Sequence, residues 1–386
     1  MRSNIKISRA DLGSFRDMGS KNIRVLYIVN GGGPTSIPLE VAETITSSGI
    51  DLTVAVFKEE DEDASHFDCP FVPIGADSIW DLQGVHSLHQ CIVKHEPDVI
   101  HVHHTASAFW GSILAKLIAG TAVVRTEHSS QRHYSLPQSI LHGCSQLLAD
   151  RILCNSKSTY RNLYPLQKWV IGDNWGVVYN GIDVSRIDAA ANRVPPVRFE
   201  ELDDRVLIGS VGRLVDAKNY RRLLQAFPSV LADFPEAHLV LVGDGENRYR
   251  LEQEAVAQGI KDQVTFMGEC PRDDVYALLH RFDLFVMPSL WEGFCNAVVE
   301  AMAAGLPIIS SDISTLREVL GEMATYVNPK SPKDIARGII EVIEKSKEEK
   351  EKWSYECRNR AISSYSINRT IKKYVESYHG VVSLKV

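Results

Sequence analysis

Short, almost wholly apolar runs alternate with amphipathic helical patterns along nearly all of this chain. In the first half the runs are Ile23–Val29, Leu52–Phe57, Val99–His103, Ala122–Thr126, Ile152–Asn155 and Val177–Tyr179. In the second they are Val206–Val211, His238–Val242, Val264–Met267, Leu284–Met287, Pro307–Ser310 and Thr325–Val327. A strand that is apolar all round must be covered on both faces, and helices between successive strands supply that cover. The pattern therefore predicts two doubly wound, parallel α/β halves. Helices are expected at 35–48, 220–233, 246–258, 273–281 and 297–304, with a long charged stretch at 334–364 broken near Ser346. The piece Asn180–Leu202, with Gly, Pro-Pro, Asn and Asp, reads as a linker. Ligands of open α/β sheets bind beyond the carboxyl ends of the strands, so two such halves predict a ligand cleft between them.

The bulk numbers narrow the function. A chain of 386 residues is long enough for two domains, at ~150 residues each. The net charge of −7 excludes a general nucleic-acid binder, because no basic excess can replace counterions. Seven scattered cysteines without a CxxC point to reduced thiols in a cytoplasmic compartment. No apolar stretch approaches the ~18 residues of a membrane span. The first twenty residues lack an apolar core, so a flexible extension over 1–20 is expected, not a secretory leader.

Chemistry concentrates at strand ends. The run Pro288-Ser-Leu-Trp-Glu292-Gly-Phe-Cys-Asn296-Ala-Val-Val-Glu300 follows an apolar strand and leads into a short helix. Asn296 suits an N-cap, Gly305 an αL residue beyond the helix, and Pro307 stops continuation. The exposed N–H groups and partial positive charge of a helix start suit a phosphate. Glu300, further along, suits sugar hydroxyls; the same residues also fit an ordinary βα turn with solvated acids. A glycosidase pair needs two carboxyls flanking one bond, roughly 5–9.5 Å apart. One acid in a loop and one inside a helix fit asymmetric roles better. Arg213 and Lys218, beyond the first strand of the second half, supply a fork and a point charge for a diphosphate. Gly243 and Gly268 would let a base or ribose approach the backbone.

In the first half, Gly31-Gly32-Gly33 is a candidate phosphate cradle. A dinucleotide fingerprint would need glycine where Ser36 stands. His101-Val102-His103-His104 raises a metal, but a ligand set needs partners that the sequence does not supply. His128, past the next strand, could hydrogen-bond a substrate hydroxyl or stabilise developing charge; a structural histidine fits equally.

Together these stretches resemble the retaining, nucleotide-sugar-dependent glycosyltransferases of family 4, with the GT-B fold. The resemblance is carried by Glu292-Gly-Phe-Cys-Asn-Ala-Val-Val-Glu300 (the family's E-x7-E), Gly212-Arg213-Leu214 with Lys218-Asn219, Asn180-Gly181-Ile182-Asp183, and Pro97-Asp98-Val99-Ile100-His101-Val102-His103. It implies two Rossmann-like domains facing across a cleft: an acceptor domain over 21–184, joined by the C-terminal helix 366–386, and a nucleotide-sugar domain over 185–365. By position, Arg213 and Lys218 would hold the donor diphosphate. Phe294, Cys295 and Asn296 would present backbone N–H groups, with Leu290 beside them. Glu300 would bind the ribose, Glu292 would lie near the donor sugar, and His128 would be the histidine near that sugar. Gly32 and Gly33 would reach the phosphate. The first loop departs from the family's usual GGxE-like form.

The activity implied is transfer from a UDP- or GDP-type sugar to a hydroxyl, without a metal or other cofactor. The acceptors implied are cell-envelope polysaccharide or lipid-linked intermediates, in the cytoplasm or at the inner membrane face. A sugar-nucleotide epimerase or inverting enzyme, or an inactive binding subunit of the same fold, are the alternatives. Base, sugar, linkage and oligomeric state are not readable.

Overall fold

The computed structural model describes residues 22–31, 37–58, 69–118, 120–128, 135–193, 202 and 204–385. The extension at 1–20 and the glycines Gly32 and Gly33 lie outside the described residues. The described residues form two compact units: one within 1–155, 159–179 and 368–386, the other within 156–158 and 180–367.

The first unit is built on a parallel seven-stranded sheet, order β3-β2-β1-β4-β5-β6-β7. Its strands are β1 (Arg24–Val29), β2 (Asp51–Lys58), β3 (Phe71–Ala76), β4 (Val99–Val102), β5 (Ala122–Glu127), β6 (Arg151–Cys154) and β7 (Trp175–Val177). β4 and β5 are buried at every position, as continuous apolar strands require. Two readings are corrected. β7 lies at 175–177, not 177–179. β3 is a strand that the apolar pattern does not reveal: Pro73 and Gly75 interrupt it. It is an edge strand with a register shift against β2, the place where a sheet tolerates proline. The helix Ile367–Ser383 packs Tyr374 and Tyr378 against His101 of β4.

The second unit has a parallel six-stranded sheet, order β10-β9-β8-β11-β12-β13. The strands are β8 (Val206–Val211), β9 (Ala237–Val242), β10 (Val264–Gly268), β11 (Leu284–Met287), β12 (Ile308–Ser311) and β13 (Thr325–Val327). The chain winds outward from β8 through β9 to β10, then returns to pair β11 beside β8. The strand order reverses there, and the loops beyond β8 and β11 flank that switch point, where doubly wound sheets bind ligands. Residues 180–184, read from sequence with the first half, group with this unit. The backbone explains it: Ile182 N–H donates to Tyr365 C=O at 2.9 Å and Ile367 N–H to Ile182 C=O at 2.9 Å. The long charged stretch is two helices, Pro332–Glu344 and Lys347–Tyr365, the second capped by Ser346 and Glu349.

Candidate active site

The loop after β8 is shaped by backbone contact. At Gly243 (φ 131°), a Cβ would lie 2.3 Å from the Gly212 carbonyl oxygen. Only glycine lets the Val242–Gly245 turn lie against Gly212-Arg213-Leu214. Gly212 donates to Val242 C=O at 2.9 Å, Leu214 to Asp244 C=O at 2.8 Å, and Gly243 to Gly268 C=O at 2.8 Å. The three strand ends β8, β9 and β10 are thereby tied into one rim. Asn219, in the left-handed region at φ 58°, ties in two more. Its Nδ2 donates to Pro288 C=O (2.9 Å), beyond β11, and Pro329 C=O (2.7 Å), beyond β13.

On this rim stand the expected residues. The Arg213 side chain is exposed and has no ion pair or hydrogen bond with another described residue. Lys218 is mostly buried. Its Nζ donates to Glu292 Oε1 at 2.7 Å and lies 3.9 Å from Cys295 Sγ, and the Ser289 hydroxyl also donates to Glu292 Oε1 at 2.7 Å. Burial lowers the Lys218 ammonium, but the charge beside it, that of the Glu292 carboxylate it hydrogen-bonds, outweighs that and holds it above its ordinary value. The ammonium stays charged and keeps other N–H groups available for an anion.

The helix Asn296–Ala303 starts one residue earlier than the sequence suggests. Cys295, at φ 76°, occupies the cap position, and Asn296 is the first helical residue. The αL turn at Cys295 swings the loop into the helix and leaves the Asn296 side chain to accept from Asn180 Nδ2 at 2.9 Å. The Cys295 thiol is pushed up to about 12, by burial and then by Glu292, so it is neutral. Phe294 is buried, with its ring edge-on to Tyr365. Leu290 N–H donates to Ala217 C=O at 2.8 Å, joining the β11 loop to the β8 loop. Gly305 has the expected left-handed conformation, φ 77°.

Glu300 lies inside the helix, 5% exposed. Its Oε1 accepts from Arg272 Nη2 at 2.5 Å, a partner that sequence spacing did not indicate. Gly268 ends β10, with Arg248 against it.

His128 belongs to the first unit. Its Nε2 shares a hydrogen bond with His103 Nδ1 at 2.8 Å, and its ring stacks with those of His103 and His104. Burial, then His104, pushes it down to about 3. It is therefore a neutral hydrogen-bonding ring near pH 7. His101 and His103 are wholly buried. His101 spans Tyr378 Oη and Thr126 Oγ1, each at 2.7 Å. Among the described residues no group of three or more His, Cys, Asp or Glu side chains is placed to hold a metal ion.

The fold and this rim define a class: a chain of two doubly wound units, the second carrying cations and carboxylates at its switch point. Solved structures share the fold. Anabaena HepE in complex with UDP and glucose aligns with a TM-score of 0.78 and 19% identity, over 93% of this chain and all of that one. Sucrose-phosphate synthase from Thermosynechococcus elongatus aligns with a TM-score of 0.80 and 18% identity, over 94% of this chain and all of that one. These likenesses establish the GT-B fold.

Sequence models then give the family. The model described as glycosyl transferases group 1 matches residues 197–360, and that described as glycosyltransferase family 4 matches 31–186. An uncharacterized glycosyltransferase of Methanocaldococcus jannaschii is 30% identical over 64% of this chain and 66% of its own length. The UDP-Gal:alpha-D-GlcNAc-diphosphoundecaprenol alpha-1,3-galactosyltransferase of Escherichia coli is 25% identical over 79% of this chain and 81% of its own. The chain belongs to the group 1, family 4 type of glycosyltransferases and is a transferase. Among the described residues no helix is long and apolar enough to cross a membrane.

Proposed function

We propose that the protein transfers a sugar from a nucleotide-diphosphate sugar to an acceptor hydroxyl, with retention at the anomeric carbon. The observation that carries this is the rim of the second unit. One switch point holds the unpaired Arg213, the charged Lys218 beside Glu292, the start of the Asn296–Ala303 helix, and the buried carboxylate of Glu300. Those groups match the parts of such a donor. Arg213, Lys218 and the helix start take the diphosphate and stabilise it as it leaves; aimed electrostatics of this kind is usually the largest catalytic contribution. Phe294, Cys295 and Asn296 turn backbone N–H groups toward the phosphates, and Glu300 accepts from the ribose.

In this reading Glu292 faces the donor sugar, and its hold by Lys218 and Ser289 supports an orienting role. With Lys218 bonded to one of its oxygens it is an orienting carboxylate. No residue of the rim is set as a covalent nucleophile. A same-face displacement, in which the departing phosphate takes the proton of the incoming hydroxyl, is the mechanism proposed. His128 acts as a neutral hydrogen-bond partner of the sugar. The reaction is proposed to need no metal. The donor is of UDP or GDP type, and the acceptor is a polysaccharide or lipid-linked glycan intermediate met on the cytoplasmic side of the membrane; the diphosphoundecaprenol acceptor named for the E. coli relative supports that class.

The test is turnover of a panel of UDP- and GDP-sugars with lipid-linked and glycan acceptors, followed by NMR of the product anomer. The expected product keeps the donor's anomeric configuration. An inverted product would refute retention, and binding without any transfer or hydrolysis would favour an inactive subunit.

A further inference from the structure

Arg272 opens the helix Arg272–Leu279, which carries the chain from β10 back toward β11. That return lays it against the Asn296–Ala303 helix and puts the guanidinium on Glu300. Both side chains are under a tenth exposed, 9% and 7%, and Nη2 to Oε1 is 2.5 Å. Arg272 is itself fixed. Its Nε donates to the Tyr276 hydroxyl at 2.6 Å, and its guanidinium stands 5.6 Å from the centre of that buried ring. Glu300 Oε2 has no hydrogen-bond partner among the described residues. One oxygen is therefore clamped and the other is left to accept.

We infer that Arg272 is a positioning residue for the nucleotide: by clamping Oε1 it aims Glu300 Oε2 at a ribose hydroxyl. The inference rests on the ribose role proposed above for Glu300. Its physical basis has two parts. A buried ionic group without a partner is strongly disfavoured, and the Arg272 guanidinium is the partner that Glu300 has. A rotating carboxylate would also lose part of each hydroxyl bond to disorder, whereas the planar Arg fork, locked on Tyr276, fixes one orientation. Lysine could supply the charge but not the fork.

The experiment measures calorimetric affinities of uridine and guanosine diphosphate and their 2′-deoxy forms. The proteins are wild type, Arg272→Gln and Arg272→Lys, each titrated well below its own melting temperature, which Arg272→Gln should lower because it unpairs a buried carboxylate. Wild type is expected to prefer the ribonucleotide about tenfold, equivalent to ~1.4 kcal/mol. Arg272→Gln should weaken the ribonucleotide to within about twofold of the deoxy form, while the deoxy form changes little. Arg272→Lys should recover only part of the preference. Equal weakening of both forms would mean a merely structural role and overturn the inference, as would an intact tenfold preference in Arg272→Gln. The absence of any ribose preference in wild type would overturn the Glu300 assignment itself, a result distinguishable from the other two.

Discussion

The Lys218–Glu292 pair gives a stability prediction that does not depend on knowing the substrate. The two side chains are 16% and 11% exposed and meet at 2.7 Å. Replacing Lys218 by Met leaves Glu292 with the Ser289 hydroxyl but no cation. Replacing Glu292 by Gln leaves the ammonium beside a neutral amide and a neutral thiol. Removing one partner of a buried pair costs about 3–5 kcal/mol, because the other charge stays desolvated and uncompensated. Partial exposure puts this pair toward the lower figure. For a unit of this size ~1 kcal/mol corresponds to about 2–4 °C in melting temperature. Each single variant should therefore melt roughly 6–12 °C lower. The double variant should recover part of the loss, with a coupling energy of about 1–3 kcal/mol. Calorimetry on the four proteins measures the cycle. Strictly additive losses would refute the claim that the two charges neutralise each other.

Much of this was readable from the sequence. The alternation of apolar runs with helices specifies parallel sheets, because strands buried on both faces cannot alternate polar and apolar residues. Arg213, Lys218 and Glu292 are readable because they sit in loops beyond strand ends, and Glu300 follows inside the next helix. What was not readable depends on topology. β3 carries Pro73 and Gly75, and only its edge position makes that tolerable. Arg272 is 28 positions from Glu300, and nothing in the local pattern says that the return from β10 to β11 brings them together. Asn296 was misplaced by one residue because a cap at Cys295 requires a positive φ that cysteine rarely adopts. The burial of His101 and His103 is not legible locally: the aromatic side chains against them come from Tyr27 and from Tyr374 and Tyr378 of the last helix, with His101 and Tyr378 277 positions apart.

Two further outcomes are expected. Gly243→Ala places a Cβ 2.3 Å from the Gly212 carbonyl oxygen, so the rim must open. A loss of ~3 kcal/mol, at the severe end for single substitutions, and a large drop in nucleotide affinity should appear by denaturation and calorimetry. By contrast Gly143→Ala, whose Cβ meets nothing within 4 Å, should stabilise by about 0.5–1 kcal/mol; equal effects would contradict the contact. Acid should weaken the first unit. His101 and His103 are held well below their ordinary value, chiefly by burial, and His128 at about 3. The unfolded chain then binds more protons than the folded one below about pH 6.5, so stability falls as pH drops through that value. Equilibrium unfolding between pH 7 and 4 should show that slope, and His103→Gln should flatten it.

The central claim is that the rim around Arg213, Lys218 and the Asn296–Ala303 helix holds a nucleotide diphosphate. The direct measurement is calorimetric titration of uridine and guanosine diphosphate into wild type and Arg213→Ala. One of the two nucleotides should bind wild type, and Arg213→Ala, which removes an exposed cation that no fold contact uses, should bind it at least about tenfold more weakly, ~1.4 kcal/mol, while melting as wild type does. Binding of neither nucleotide, or equal affinity in the two proteins, would contradict the account.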